Sequence, residues 1–359
     1  MLKEFGDLPK EIEVYGKKIG EGHPAYIIAE IGNNHNGSLE LAKKSVIAAH
    51  MAGADAVKFQ KRSLSDVFTK DLLNQPQTSS RALGTTYGEY RQSLELDEKQ
   101  LERIKNLAHH LGMAFFATPF DLKSVEVLAN IGMDAWKVAS FDATHKDLLE
   151  AVAKKGQPMF LSTGMSTLEE RDEAVKTILK YNKNLIIKHC VSVYPTPDND
   201  LNLGAVQFLK ERYAPLPIGY SGHEIGFMPT VAAVAIGAKA IERHFTVDKS
   251  LPGPDHSTVS LDALEFAQMV REIRKIERAV ADNKIYLHDG EIKHRQKHSK
   301  SIVAKVAIPA GTIISENLIA FKSTGVGGIK PTLAHTVIGK KTKIALEPDT
   351  VINSEQHLT

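Results

Sequence analysis

The sequence predicts an α/β protein, a (β/α)8 barrel followed by a small β-rich domain. Three observations predict it. Eight short apolar, β-branched runs recur: YIIAEI (26–31), DAVKFQ (55–60), MAFFATP (113–119), AWKVAS (135–140), PMFLST (158–163), NLIIKHC (184–190), LPIGYS (216–221) and KAIERHF (239–245). Segments with helical spacing lie between them, as parallel βαβ units require. Reactive side chains gather at the C-terminal ends of the runs, the face on which such barrels place their sites. A doubly wound open sheet is the alternative, but the first run continues EIGNNHNG and lacks the glycine fingerprint of a dinucleotide site.

The helical segments follow in order. Leu39–Met51 places Leu39, Leu41, Val46 and Ile47 in an amphipathic pattern, and 101–111, 125–131, 148–152 and 169–179 behave likewise. Gly53, Gly112 and Gly132 each follow a helical segment, where a left-handed cap is favourable. Thr167-Leu168-Glu169-Glu170 has the form of a capping box. Segment 61–96 is long, polar and irregular, the kind of loop that is often functional on a barrel. After an amphipathic segment at 261–280 the texture changes. Residues 282–300 are polar, rich in Lys and His, and read as a linker between a barrel at 1–281 and a domain at 301–359. About 60 residues are marginal for independent stability, so the small domain is expected to dock on something larger.

The bulk numbers exclude several classes. Lys plus Arg number 45 and Asp plus Glu 43, a formal net charge of +2 that gives no reason to expect nucleic acid or a membrane surface as partner. One cysteine excludes an intramolecular disulfide framework and fits a reducing, cytoplasmic compartment. No run approaches the roughly 18 apolar residues of a membrane span, and the first ten residues hold no apolar signal core.

The strand ends carry Glu30, Lys58 and Gln60, Thr118, Lys137 and Ser140, Ser162 and Thr163, His189, Ser221 and His223, and Glu242 and His244. Any one of these has a structural reading, as a salt-bridged lysine, a capping serine or a core histidine. Lys58, Lys137 and Arg243 converging on one mouth would instead make a site for a doubly charged anion, such as a phosphate plus a carboxylate. His223 and His244 end adjacent strands, so they could share a divalent metal with open positions for water and substrate. Asp255 and His256, after the Pro-Gly-Pro turn, could approach the same mouth, and His189 is a third metal candidate. Cys190 reads as core packing. Glu30 is a candidate acid/base.

The motifs IIAEIGNNHNGS, ADAVKFQ, ATPF, KVAS, LSTGM, HCVSVYPTP, YSGH and ERHF followed by PGPD occur in this order. Together they resemble the sialic acid (nonulosonate) synthase family over essentially the whole chain, and SIVAKVAIPAGTIISENLIAFKSTG resembles its antifreeze-like SAF domain. The resemblance implies condensation of phosphoenolpyruvate with an N-acylated hexose, N-acetylmannosamine or a 2,4-diacetamido-trideoxyhexose. The product would be a nine-carbon 2-keto acid, with phosphate lost by C–O cleavage. It implies that His223 and His244 hold Mn²⁺, with Mg²⁺ and Co²⁺ as alternatives. Lys58, Thr118, Lys137, Ser140, Ser162 and Ser221 match phosphoenolpyruvate-binding positions, Gln60, Tyr194 and Asp255 match sugar contacts, and Glu30 matches the acid/base. Glu242 and Arg243 would line or brace the anion pocket. The family also implies a domain-swapped homodimer, each tail covering the partner's barrel mouth.

Three positions depart from the family pattern: Phe141-Asp142 replaces Gly-Glu, Ser192 replaces Asn, and Lys322-Ser323-Thr324-Gly325 lacks the arginine of Lys-Arg-Pro-Gly. They leave open the choice among sialic, legionaminic and pseudaminic acid chemistry. The competing classes are a sugar- or ice-binding protein on the same fold and a synthase for a non-acylated or phosphorylated sugar.

Overall fold

The computed structural model describes residues 2–77, 84–253, 256–280 and 284–359. The chain divides into two compact units, 1–281 and 282–359. The first opens with an antiparallel hairpin of β1 (Glu11–Val14) and β2 (Lys17–Gly20), a pairing that the alternation of EIEV encodes and the sequence reading passed over. Eight parallel strands then close into the expected barrel: β3 (Tyr26–Gly32), β4 (Ala56–Lys61), β5 (Ala114–Pro119), β6 (Trp136–Val138), β7 (Met159–Ser162), β8 (Leu185–Cys190), β9 (Ile218–Gly222) and β10 (Ala240–His244). Closure comes where β10 pairs with β3, Ala240 opposite Tyr26 and His244 opposite Glu30. Both faces of β3, β5 and β8 are buried throughout, which is why parallel strands read as continuous apolar runs.

Helices Leu39–Met51, Glu98–His110, Leu122–Ile131, Lys146–Ala153 and Leu168–Leu179 occupy the expected crossovers. Thr167 and Glu170 form the expected capping box, and Gly53, Gly112 and Gly132 all have positive φ. The amphipathic segment expected at 261–280 forms the last helix of the ring, Ala263–Val280, and Gly204–Arg212 and Met228–Ala235 fill the two remaining places. Neither was read from the sequence. The second is so uniformly apolar that it shows little helical period, and it merges with the apolar start of β10. Segment 61–96 is not wholly irregular, for it carries short helices Leu64–Val67, Lys70–Leu73 and Tyr87–Ser93.

Inside the barrel, Phe116 stacks on Phe160 at 5.2 Å and Phe160 on Tyr26 at 6.4 Å. Phe116 and Phe160 sit two residues before Thr118 and Ser162, so this aromatic layer seals the barrel beneath the strand ends. In the second unit, β11 (Lys300–Ala304) pairs with β12 (Ile319–Ser323) over a separate core that includes Ile302, Ile308, Ile314, Val337 and Ile352. The polar stretch read as a linker contains a helix, Asp289–His298, that buries no residue. Among the described residues no helix is long and apolar enough to cross a membrane.

Candidate active site

Strand side chains alternate between faces, so one phase of each barrel strand points inward. On β4 that phase is Lys58 and Gln60, on β8 Lys188 and Cys190, and on β10 Glu242 and His244. Lys58, Gln60, Cys190, Glu242 and His244, with Glu30, Thr118 and Lys137, line one cavity of ≈ 290 Å³ at the C-terminal mouth, and Lys188 meets the Glu242 carboxylate beneath it. Ser140, Ser162, Ser221, Tyr194 and His223 line it as well. Of the residues that the resemblance assigns to acid/base, phosphoenolpyruvate, sugar or metal roles, the structure brings together all but Asp255, which lies outside the described residues.

Two expectations are corrected by the same alternation. Arg243 does not line the anion pocket. It occupies the outward phase of β10, fully buried, with Nη1 2.8 Å from Glu224 Oε1 and Nη2 donating to the Glu224 carbonyl at 2.8 Å. His189 also faces outward, its Nε2 2.8 Å from the Leu201 carbonyl oxygen, and is no metal candidate. His256 is buried beside the mouth, where Nδ1 meets Thr246 Oγ1 at 2.7 Å and Nε2 lies 3.3 Å from Asn36 Oδ1. It braces a loop and does not line the cavity.

The floor of the cavity is a buried layer of three lysines and two carboxylates. Lys58 Nζ lies 2.8 Å from Glu30 Oε2 and 3.5 Å from Glu242 Oε1, and it donates to Thr118 Oγ1 at 3.0 Å. Lys188 Nζ, fully buried over the Phe160 ring, reaches Glu242 Oε2 at 2.5 Å, and Lys137 Nζ lies 4.0 Å from Glu242 Oε1. Burial alone would raise the Glu242 carboxyl, but Lys137, Lys188 and Lys58 hold it well below its ordinary value. Burial raises Glu30 against the pull of Lys58. Burial also lowers Lys137, and brings Lys188 down to about 8. Three ammonium groups facing two carboxylates leave one positive charge in excess, more when Glu30 holds a proton. A buried layer of that sign favours an anionic guest.

Local backbone chemistry tightens the site. At the Glu30/Gly32 bulge the chain turns with Gly32 at φ 55°, and a Cβ there would sit 3.0 Å from Glu30 Oε1 and 3.1 Å from Gln60 Nε2. That turn lets Gln60 Nε2 donate to Glu30 Oε1 at 2.7 Å. Gly164 of LSTGM donates its N–H to Ser140 Oγ at 3.1 Å, and a Cβ there would collide with Ser192 Oγ at 2.4 Å. Ser162 Oγ is buried without a hydrogen-bond partner.

Above the floor the rings of His223 and His244 lie 5.4 Å apart, with Tyr194 4.1 Å from His223 and edge-on to His244 at 5.9 Å. His223 Nδ1 donates to the Val191 carbonyl at 2.9 Å, which leaves Nε2 as the lone-pair nitrogen. His244 Nδ1 is buried with no partner, and burial together with His223 keeps this imidazole neutral, well below its ordinary pKa. Among the described residues no third His, Cys, Asp or Glu joins them in a metal-binding group.

The sequence reading missed Lys188, Arg62, Arg91 and Phe141, all of which line or floor the cavity, and took Cys190 for core packing although it also lines it. Parity was the available signal: Lys188 is two residues from Cys190, and Arg62 two from Gln60.

A family model described as the NeuB family matches residues 45–285, and a SAF domain model matches residues 299–355. The chain belongs to the NeuB family. It is 38% identical over 349 residues to N-acetylneuraminate-9-phosphate synthase of Homo sapiens, covering 97% of each chain. It is 35% identical to N,N'-diacetyllegionaminic acid synthase of Legionella pneumophila, over 94% of this chain and 95% of that one. Among solved structures, N-acetylneuraminic acid synthetase from Leptospira borgpetersenii, in complex with citrate, superposes with a TM-score of 0.71 at 34% identity, over 81% of this chain and 98% of that one. This NeuB-family chain is accordingly an enzyme, a synthase of the nonulosonate type.

Proposed function

We propose that this enzyme condenses phosphoenolpyruvate with the open-chain form of an N-acylated hexose to give a nine-carbon 2-keto acid and phosphate. The observation that carries this reading is the buried, net-positive layer of Lys58, Lys137 and Lys188 with Glu30 and Glu242, placed directly beneath two histidines. Lys58, Lys137 and the hydroxyls of Thr118, Ser140, Ser162 and Ser221 hold the carboxylate and phosphate of phosphoenolpyruvate, and the unpartnered Ser162 hydroxyl gains a partner in doing so. Gln60 and Tyr194 contact the sugar, and Asp255 is assigned to it by resemblance. C3 of the enol forms the new bond to the aldehyde carbon. Water then adds at C2, and phosphate leaves with cleavage of its C–O bond. Glu30 transfers the proton, its carboxyl lifted by burial in the direction that general acids need.

The donor set fits a divalent metal. His223 presents one ring nitrogen that makes no bond to the Val191 carbonyl, His244 has a buried nitrogen without a partner, and two imidazole ligands leave coordination positions open. Mn²⁺ or a similar ion held there would polarise the sugar aldehyde as a Lewis acid.

The test is phosphate release from phosphoenolpyruvate with a panel of N-acetylmannosamine, mannose and 2,4-diacetamido-trideoxyhexoses. Release should depend on the sugar and on Mn²⁺, stop with chelator, and fall by about a hundredfold or more in His244→Ala. Full, chelator-insensitive activity in that variant would sink the metal assignment, and no release with any sugar would sink the condensation. A homodimer belongs to the same reading, and light scattering should return twice the chain mass.

A further inference from the structure

A second buried polar cluster lies on the outer side of β9 and β10, away from the cavity. Arg243, Glu224, Thr230 and Tyr220 are each at most 1% exposed. Arg243 Nη1 reaches Glu224 Oε1 at 2.8 Å and Thr230 Oγ1 at 2.9 Å, and Nη2 donates to the Glu224 carbonyl at 2.8 Å. The Tyr220 hydroxyl donates to Glu224 Oε2 at 2.9 Å, and the Thr230 hydroxyl donates to Glu224 Oε1. Arg243 Nε is left without a partner. The cluster ties β9, β10 and the helix Met228–Ala235 together at one point.

Glu224 directly follows His223, and Arg243 directly precedes His244. The β9–β10 ladder ends with Arg243 opposite Gly222, so each histidine lies one residue past the last pair. His244 is still paired with Glu30 of β3, but His223 has left the sheet. The ion pair carries the connection on from there, because the Arg243 guanidinium holds both the side chain and the carbonyl of Glu224. From the inner side, His223 Nδ1 donates to the Val191 carbonyl at 2.9 Å, and the Thr196 N–H donates to the His223 carbonyl at 3.0 Å. Gly222 leaves room for the carboxylate: a Cβ there would lie 2.4 Å from Glu224 Oε2 and 3.1 Å from Arg243 Cδ. A buried ion pair is a poor source of stability, since apolar groups of similar volume serve as well. What charge-assisted hydrogen bonds add is a fixed distance and angle.

We propose that Glu224 and Arg243, with Thr230 and Tyr220, are positioning residues that set the separation and facing of His223 and His244. The inference rests on the assignment of those two histidines to a divalent ion. Metal–ligand distances tolerate shifts of only about 0.2 Å. Among the described residues no third His, Cys, Asp or Glu joins the pair, so no other such donor compensates when one imidazole moves.

The experiment is titration of the full chain with Mn²⁺ alone, with the free ion read by electron paramagnetic resonance, beside urea unfolding of each variant. Glu224→Gln/Arg243→Met removes both charges and keeps an amide for the two hydroxyls. Its urea midpoint should stay close to that of the wild type, while Mn²⁺ binds at least about tenfold more weakly. Thr230→Val takes one hydroxyl from the cluster and should weaken binding by about threefold. Thr230→Ser keeps that hydroxyl and should bind as the wild type does. Wild-type affinity in the folded double variant overturns the proposal. If the double variant does not fold, the Thr230 pair decides, and wild-type affinity in Thr230→Val overturns it. A loss of affinity seen only with a matching loss of urea midpoint also overturns it, because the cluster would then be merely structural. A wild type that binds no Mn²⁺ overturns the metal assignment and the positioning role with it. Binding lost in His244→Ala but kept in the double variant overturns the positioning role alone.

Discussion

Replacing Glu242 with glutamine lowers folding stability by about 3–5 kcal/mol, the cost of removing one partner from a buried ion pair. Glu242 touches all three lysines of the cavity floor, Lys188 at 2.5 Å, Lys58 at 3.5 Å and Lys137 at 4.0 Å. Glutamine keeps the shape and removes the charge. Three ammonium groups then face Glu30 alone, and Glu30 is already paired with Lys58. Lys188, fully buried and lowered to about 8 even with Glu242 present, is the group left worst off and should lose its proton first. Urea unfolding at pH 7 measures the loss. A paired variant, Glu242→Gln with Lys188→Met, removes one charge of each sign and should recover at least half of it. If Glu242→Gln unfolds like the wild type, the layer is not an ion-pair network and the electrostatic reading of the cavity fails. Phosphate release should fall by at least about tenfold in Glu242→Gln, because ammonium groups that repel or deprotonate no longer present a fixed anion site.

The barrel was legible because its strands are buried on both faces and separated by helices of ordinary period. The two missed helices show the limit. Gly204–Arg212 has weak amphipathicity, and Met228–Ala235 is apolar nearly all round, so neither carries a sharp signal. The site was legible where a reactive residue stood at a strand end in the inward phase. The errors at Arg243 and His189 came from counting chemical type without counting phase. Both are one residue out of step with neighbours that do line the cavity, and both satisfy their polar atoms on the outer side, against Glu224 and Leu201. Lys188 was passed over for the converse reason. It lies inside an apolar run, where a lysine stays charged only if a carboxylate from another strand meets it, and no single strand's sequence shows that partner. Asp142 stood out only as a departure from a motif. Its environment depends on how the chain turns after β6.

That environment makes a pH prediction. The Asp142 carboxyl is 9% exposed as a residue, its Oδ2 has no hydrogen-bond partner, and burial raises it to about 7 against the opposing pull of Arg62 and Lys137. A carboxyl raised in the folded state binds a proton that the unfolded chain, near 3.8, has released. Its stabilising contribution is therefore complete below about pH 4 and is lost as pH rises through about 7. Each unit is worth about 1.4 kcal/mol, and partial access to water reduces the whole effect to about 2–4 kcal/mol. Asp142→Asn keeps a polar group and removes the titration. The stability of the variant relative to the wild type should rise by about 1–3 kcal/mol between pH 5 and pH 8, measured as unfolding free energies in urea at both pH values. A difference that does not change between the two pH values would mean that Asp142 is already ionised at pH 5, held so by the nearby cations Arg62 and Lys137. The pH series thus tests the mouth of the cavity from the side of the acid, independently of any sugar.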